Sequence, residues 1–172
     1  MIKELWILIK MLFTSNPSDF AYKELEVMPM KHFPFKGKTF MSWCGKMIVR
    51  EENKDIVDEF LTTESGREVR NHEQGHVVQA IFKDDDDWVV YYLDYFWNWI
   101  KHCPWMNPSG ACYYLNKYEV ECFANQHDFE YFDLEKYTTD NLNGKYTIKD
   151  AKKLWKQLGG TSDAWKKYIR SL

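Results

Sequence analysis

The chain has 172 residues and a formal net charge of −3, and aromatic residues make up 17% of it. This length is sufficient for one domain with an apolar core, and the net charge provides no basic surface for nucleic acid. No apolar run is long enough to span a membrane, and four cysteines without a C-x-x-C pair are too few for a disulfide scaffold.

The first 61 residues predict a helix, a hairpin and a second, short helix. Residues 2–13 form an amphipathic helix without the apolar core and cleavage site of a signal peptide, so we expect a cytoplasmic protein rather than an exported one. Residues 20–37 are expected to be irregular. Segments 39–44 and 46–50 are rich in β-forming residues and predict a hairpin around Gly45, and residues 55–61 predict a short helix.

The next helix is predicted to run from an N-cap at Ser65 to about Lys83, with Glu68 completing a capping box. It contains the sequence His72-Glu73-Gln74-Gly75-His76, and several apolar residues follow directly. These neighbours predict a buried helix. Buried histidines need polar partners or a metal ion, which makes this segment the first candidate for a functional site.

An aromatic helix is predicted at 88–102, after an acidic turn at 84–87. Its residues Val89, Tyr92, Phe96 and Trp99 recur at helical spacing, which predicts a stripe that packs behind the histidine-containing helix. On this interpretation, Phe96→Ala removes a core side chain and destabilises the fold by about 3–5 kcal/mol.

The remainder of the chain predicts a loop followed by three helices. The loop covers residues 103–112 and contains Cys103 and Cys112, which could be bridged if the protein were exported. The helices are expected at 113–132, 148–158 and 162–171. We expect a single domain over residues 1–172, because no linker or repeat interrupts the chain.

The histidine sequence has the H-E-x-x-H pattern of zinc peptidases. Residues four apart share one helix face, so His72 and His76 can bind the same zinc ion. Glu73 lies beside the metal in this pattern, where it can act as the base toward a zinc-bound water. Gln79 and Phe82 occupy the places where metzincins have a glycine and a third histidine, so that class is excluded.

A catalytic zinc ion needs a third protein ligand, and the downstream candidates include Asp94, His102, Glu119, Glu121, His127 and Asp128. The segment Glu121-x-x-Ala124-Asn125 resembles the E-x-x-A-[D/N] element of gluzincins, the H-E-x-x-H peptidases with a glutamate as third ligand. The resemblance extends from about Val69 to Phe132 and favours Glu121 as the ligand. Glu119, two positions away and about 200° around a helix, is the rival ligand.

Two further residues of this helix have interpretations of their own. The resemblance implies that Asn125 orients a ligand imidazole. Cys122 could bind zinc in principle, but a buried structural thiol is the simpler interpretation.

The resemblance implies an α+β fold, mainly helical and zincin-like, with a small sheet packed near the H-E-x-x-H helix. The hairpin at 39–50 would supply an edge strand that binds a peptide or protein substrate in extended form. The expected reaction is peptide-bond hydrolysis with zinc as cofactor. Tyr113, Tyr114 and His127 are all candidate donors to the oxyanion.

Two alternatives from other functional classes remain open at this point. One is a non-catalytic zinc-binding scaffold that keeps the motif without turnover. The other is a protein that binds carbohydrate or peptide through exposed aromatic rings, in which the motif is accidental.

Overall fold

A computed structural model describes residues 1–21, 23–34, 39–102, 111–138 and 148–171. Its regular elements are mainly helical, with one three-stranded sheet, in agreement with the predicted α+β class. The helices are α1 Ile2–Thr14, α2 Lys54–Thr62, α3 Glu64–Lys83, α4 Trp88–His102, α5 Ala111–Tyr114, α6 Lys117–Asn125, α7 Ile148–Gln157 and α8 Ser162–Ile169. The strands are β1 Glu26–Met30, β2 Phe40–Trp43 and β3 Lys46–Arg50.

The sheet has the order β1-β3-β2, so β2 and β1 form its two edges. Strands β2 and β3 form the predicted hairpin, with Met41 opposite Ile48. Cys44 and Gly45 connect them, both with positive φ (45° and 70°), as in the two-residue turns that suit the twist of a hairpin.

Strand β1 is not predicted by the sequence, because it contains Pro29 next to its last residue. It pairs in parallel with β3 at the edge of the sheet, where a residue without a backbone N–H is tolerated.

Successive side chains of the central strand β3 point to opposite faces of the sheet, one packed against α2 and the other against α1. Met47 and Val49 pack against Val57 and Leu61 of α2, whereas Ile48 packs against Leu8 of α1. This alternation follows from the two-residue period of a strand. The sheet is thereby held between α1 and α2.

Helix α3 packs against both α4 and α6. Val77 and Ala80 of α3, Trp88 and Tyr91 of α4, and Tyr118 of α6 form one buried cluster. Among the described residues, no helix is both long and apolar enough to cross a membrane.

The predicted role of Phe96 in the core is wrong. The buried face of α4 carries Trp88 and Tyr91, both 2% exposed, whereas Phe96 is 51% exposed. The predicted stripe lies one residue, or about 100° around the helix, from the face that packs, because apolar residues occupy almost every direction around α4. Its outer face therefore exposes large apolar side chains: Val90, Leu93, Phe96, Trp97 and Ile100.

Candidate metal centre

Helix α3 supplies both histidines and begins slightly earlier than predicted. Thr63 is its N-cap, and the Thr63 hydroxyl accepts a hydrogen bond from the Gly66 N–H at 3.1 Å. The expected cap at Ser65 is therefore wrong. Further along the helix, His72 and His76 are both buried, and their rings lie edge to face with centroids 5.0 Å apart.

Helix α6 is shorter than the predicted helix at 113–132. It begins after Asn116, whose side chain caps the Tyr118 N–H, and it ends at Asn125. Both of its glutamates are buried: Glu119 is 2% exposed and Glu121 is 1% exposed. Because they lie about 200° apart around the helix, they face different parts of the molecule.

Glu119 is the glutamate that meets the histidines. Its Oε2 lies 3.2 Å from His72 Nε2, and its Oε1 lies 3.4 Å from His76 Nε2. The structure does not bring Glu121, which the sequence favoured as third ligand, to either imidazole. The Glu121 carboxylate instead pairs with Lys83 and accepts hydrogen bonds from Gln79 Nε2 at 2.8 Å and the Tyr137 hydroxyl at 2.8 Å.

Asn125 does not orient a histidine as the resemblance implied. Its side-chain amide donates to the Glu121 carbonyl within α6. Two glutamines instead contact the imidazoles at their Nδ1 atoms. Gln79 Oε1 lies 2.9 Å from His76 Nδ1, and Gln126 Oε1 lies 3.3 Å from His72 Nδ1. The Gln79 contact could have been anticipated, because residues three apart share a helix face.

Charges at the site favour a cation beside Glu119. Burial alone would raise the pKa of Glu119, but His76 and His72 outweigh it and hold that pKa below its usual range. Burial alone would lower the pKa of His76, but the Cys122 sulfur and the Glu119 carboxylate outweigh it and raise that pKa. Glu119 is therefore ionised, as a metal ligand must be, and protons compete with any metal ion for His76.

Cys122 is a second potential ligand on the same face of α6. Its sulfur, with one nitrogen from each histidine, forms a buried group whose atoms all lie within 4.8 Å of one another. However, the sulfur approaches Nδ1 of His76, at 3.5 Å, and Nδ1 already faces Gln79. Burial raises the pKa of the Cys122 thiol to about 11. We therefore regard Glu119 as the better third donor.

The distances from the imidazoles to Glu119 can be compared with the geometry of zinc, the metal of the H-E-x-x-H pattern. Ligand atoms on a tetrahedral ion with bonds of 2.0–2.1 Å lie about 3.3–3.4 Å apart. The His72 Nε2–Glu119 Oε2 distance of 3.2 Å and the His76 Nε2–Glu119 Oε1 distance of 3.4 Å are close to this separation, and they are also the distances of hydrogen-bonded ion pairs. Two neutral imidazoles and one carboxylate are also a donor set that zinc prefers.

A cavity of about 370 Å³ opens beside the donors. Glu73, His76 and Glu119 line it on one side, and the edge strand β2 lines it on another. No hydrogen-bond partner is found for the Glu73 carboxylate within the described part of the chain. Glu73 is 7% exposed, so this carboxylate is nearly buried and available to a bound water or substrate.

Tyrosines complete the polar part of the cavity wall. The Tyr95 hydroxyl donates to Glu119 Oε1 at 2.7 Å, and burial raises the pKa of Tyr95 well above its usual value, so it remains a donor. Of the three predicted oxyanion donors, Tyr113 lines the cavity, and burial together with the nearby Glu119 charge raises the pKa of its hydroxyl well above the usual value. Tyr114 stacks on Trp155 and His127 is exposed, and neither lines the cavity.

The predicted bridge between Cys103 and Cys112 involves Cys103, which lies outside the described residues. Comparison of the chain with family models found no match, and comparisons with curated proteins and with solved structures also found none. The functional interpretation therefore depends on the motif and on the geometry of the donors and the cavity.

Proposed function

We propose that the protein is a zinc-dependent peptidase of the gluzincin type, in which His72, His76 and Glu119 bind the metal. The observation that carries this proposal is the convergence of both Nε2 atoms on one buried carboxylate, beside a cavity that also contains Glu73. Glu119 replaces Glu121 in the ligand set, because Glu121 already accepts several donors on the other side of α6.

Glu73 is proposed as the general base. Bound zinc would polarise the substrate carbonyl and lower the pKa of a bound water. Glu73 would take a proton from the water while the water oxygen forms a bond to the carbonyl carbon. When the carbon–nitrogen bond breaks, Glu73 returns the proton to the leaving amine. Its position on the cavity wall, without a competing partner among the described residues, is what this role requires.

Strand β2 is proposed to bind the substrate. It is an edge of the sheet formed by the described strands, so its outer backbone groups can pair with an extended peptide. Phe40, Met41, Ser42 and Trp43 of this strand all line the cavity. A peptide added to this edge would therefore run past Glu73 and His76, which favours a peptide or protein over a small hydrophilic substrate.

Metal analysis and a peptide-cleavage screen test the proposal. The purified protein should contain one zinc ion per chain, or take one up from solution. Glu73→Gln should retain that zinc and lose at least about 100-fold in cleavage rate, as expected for loss of a general base. Glu64→Gln, an exposed glutamate of α3, is the matched control and should cleave like the parent.

Two outcomes would contradict the peptidase. Equal cleavage by Glu73→Gln and the parent would exclude the mechanism. A protein that binds zinc tightly but cleaves no peptide in a diverse library would support the non-catalytic zinc scaffold.

The outer face of α4 favours a second function, which is binding of an apolar or sugar ligand through exposed rings. Phe96 and Trp97 are 51% and 57% exposed, and Phe96 also lines the cavity. If the protein contains no zinc but binds peptide or sugar, and Trp97→Ala abolishes that binding, the binding function replaces the peptidase.

A further inference from the structure

We propose that Glu121 is a positioning residue that acts on His76 through Gln79. The inference depends on the proposed function, because it concerns His76 as a metal ligand. Glu121, Gln79 and His76 form a buried chain of side chains between α6 and α3, in which each member determines the orientation of the next.

The first step is the fixed position of the Glu121 carboxylate. It pairs with the Lys83 ammonium and accepts hydrogen bonds from the hydroxyl groups of Tyr137 at 2.8 Å and Tyr131 at 3.4 Å. Glu121 is 1% exposed and the Lys83 side chain is 7% exposed, so water competes little with these contacts. An ionised carboxylate can only accept hydrogen bonds, and it therefore attracts only the donor end of the neighbouring amide.

The second step is the orientation of Gln79. Its amide nitrogen donates to Glu121 Oε2 at 2.8 Å and to the Tyr118 carbonyl at 3.0 Å, which uses both of its hydrogens. The opposite assignment would place the amide oxygen against two acceptors. Gln79 Oε1 must therefore face His76 Nδ1.

The third step is the tautomer of His76. The Gln79 amide oxygen can only accept, and the Tyr91 hydroxyl 3.1 Å from Nδ1 can accept as well, so Nδ1 carries the hydrogen and in the neutral ring Nε2 keeps its lone pair. Nε2 is the atom that faces Glu119, 3.4 Å from Oε1. The chain from Glu121 thus holds His76 in the tautomer and ring orientation that a metal ligand needs.

A second chain with the same composition supports this interpretation. Gln126 Nε2 donates to Glu68 Oε2 at 3.0 Å, and Gln126 Oε1 faces His72 Nδ1 at 3.3 Å. In both chains of side chains, the histidine contacts a glutamine, and that glutamine contacts a glutamate. Glu68 is 28% exposed and pairs with Arg170, which is 41% exposed, so water can replace part of its function. Glu68→Gln is consequently a matched control for Glu121→Gln.

Zinc affinity, measured by competition with a chelator, tests the proposal. In Glu121→Gln the new amide can present a donor to Gln79, which allows the Gln79 amide to turn and favours a hydrogen on His76 Nε2. We expect zinc affinity to fall about 10- to 100-fold with one ion still bound per chain. Gln79→Leu should cause a similar loss, and the double variant should lose no more than either single variant, because both act through one chain. Glu68→Gln should change the affinity less than about 3-fold.

Cobalt(II) spectroscopy separates positioning from ligation and from a purely structural role. The visible absorption of the cobalt-substituted Glu121→Gln protein should keep the shape of the parent spectrum, because the ligands are unchanged. If the Glu121→Gln protein binds no cobalt, or if its bound cobalt gives a spectrum of different shape, Glu121 is a ligand and the inference is overturned. Additive losses in the double variant, or parent-like affinity in Gln79→Leu, would also overturn it.

The outcomes that overturn this inference are measured on variants, whereas the proposed function is tested by the zinc content and peptide cleavage of the parent protein. A parent that binds no zinc contradicts both proposals. If Glu121→Gln does not fold, Gln79→Leu and Tyr137→Phe carry the test, because neither variant leaves a buried charge unpaired. Tyr137→Phe removes one donor to Glu121 and should reduce zinc affinity about 2- to 5-fold, whereas parent-like affinity in both variants would overturn the inference.

Discussion

The two faces of α6 carry buried glutamates with opposite surroundings. On one face, Glu121 receives donors from Gln79, Lys83 and Tyr137, which use its carboxylate oxygens. On the other face, Glu119 is directed at two imidazole nitrogens and the cavity that contains Glu73. A buried carboxylate whose protein donors are removed leaves an unpaired charge, whereas one that meets two imidazoles beside a cavity is a candidate ligand for a cation. We refer to these as the anchor face and the cavity face.

The largest expected effect is on stability at the anchor face. Lys83→Met leaves the Glu121 carboxylate buried without its cation and should destabilise the protein by about 3–5 kcal/mol in urea unfolding. Lys54→Met, which breaks an exposed ion pair with Asp58, is the control and should leave the unfolding midpoint unchanged. Equal midpoints for Lys83→Met and the parent would remove the distinction between the two faces.

The next effect is on metal binding at the cavity face. Glu119→Ala should reduce zinc affinity at least 100-fold, because it removes the carboxylate that faces both histidines. Cys122→Ala, on the same face of α6, should reduce it less than about 3-fold. Inductively coupled plasma analysis and chelator competition measure both values. A larger loss in Cys122→Ala would instead favour the group formed by the two histidines and the thiol.

A smaller effect on stability is expected at Gly75, which lies between the two histidines on α3. A Cβ on Gly75 would lie 2.6 Å from the Phe132 ring and 2.8 Å from the Cys122 sulfur. Gly75→Ala should therefore cost about 1–3 kcal/mol despite the better helix propensity of alanine. Thermal unfolding measures this cost, with exposed Ser65→Ala as control. A more stable Gly75→Ala protein would mean that α6 can move away from α3 without penalty.

The smallest effect concerns the open wall of the cavity. Phe96 is 51% exposed, so Phe96→Ala should change stability by less than about 1 kcal/mol, whereas Trp88→Ala should cost about 3–5 kcal/mol. Chemical denaturation of both variants tests this. A core-sized loss in Phe96→Ala would restore the packing role that the aromatic spacing suggested.

Several features of this protein were determined by local sequence. The spacing of His72 and His76 places both imidazoles on one side of a helix whatever surrounds it, because the helical period is fixed. The hairpin around Gly45 was equally predictable, since a short turn with positive φ between two β-forming segments has few alternatives. The order of the described helices, except the short α5, followed from the same local periodicities, although the helix predicted at 113–132 covers only Lys117–Asn125.

Tertiary structure alone decided which groups meet. Glu119 and Glu121 have almost the same local context, and the rotation of α6 against α3 determines which of them faces the histidines. That rotation depends on close packing at Gly75 and on partners outside α6, such as Lys83 and Tyr137. The exposed face of α4 was likewise undecided, because apolar residues surround that helix and only its contacts with α3 select the buried side. Local periodicity determines the direction of a side chain relative to its own helix, but long-range packing determines what that side chain contacts.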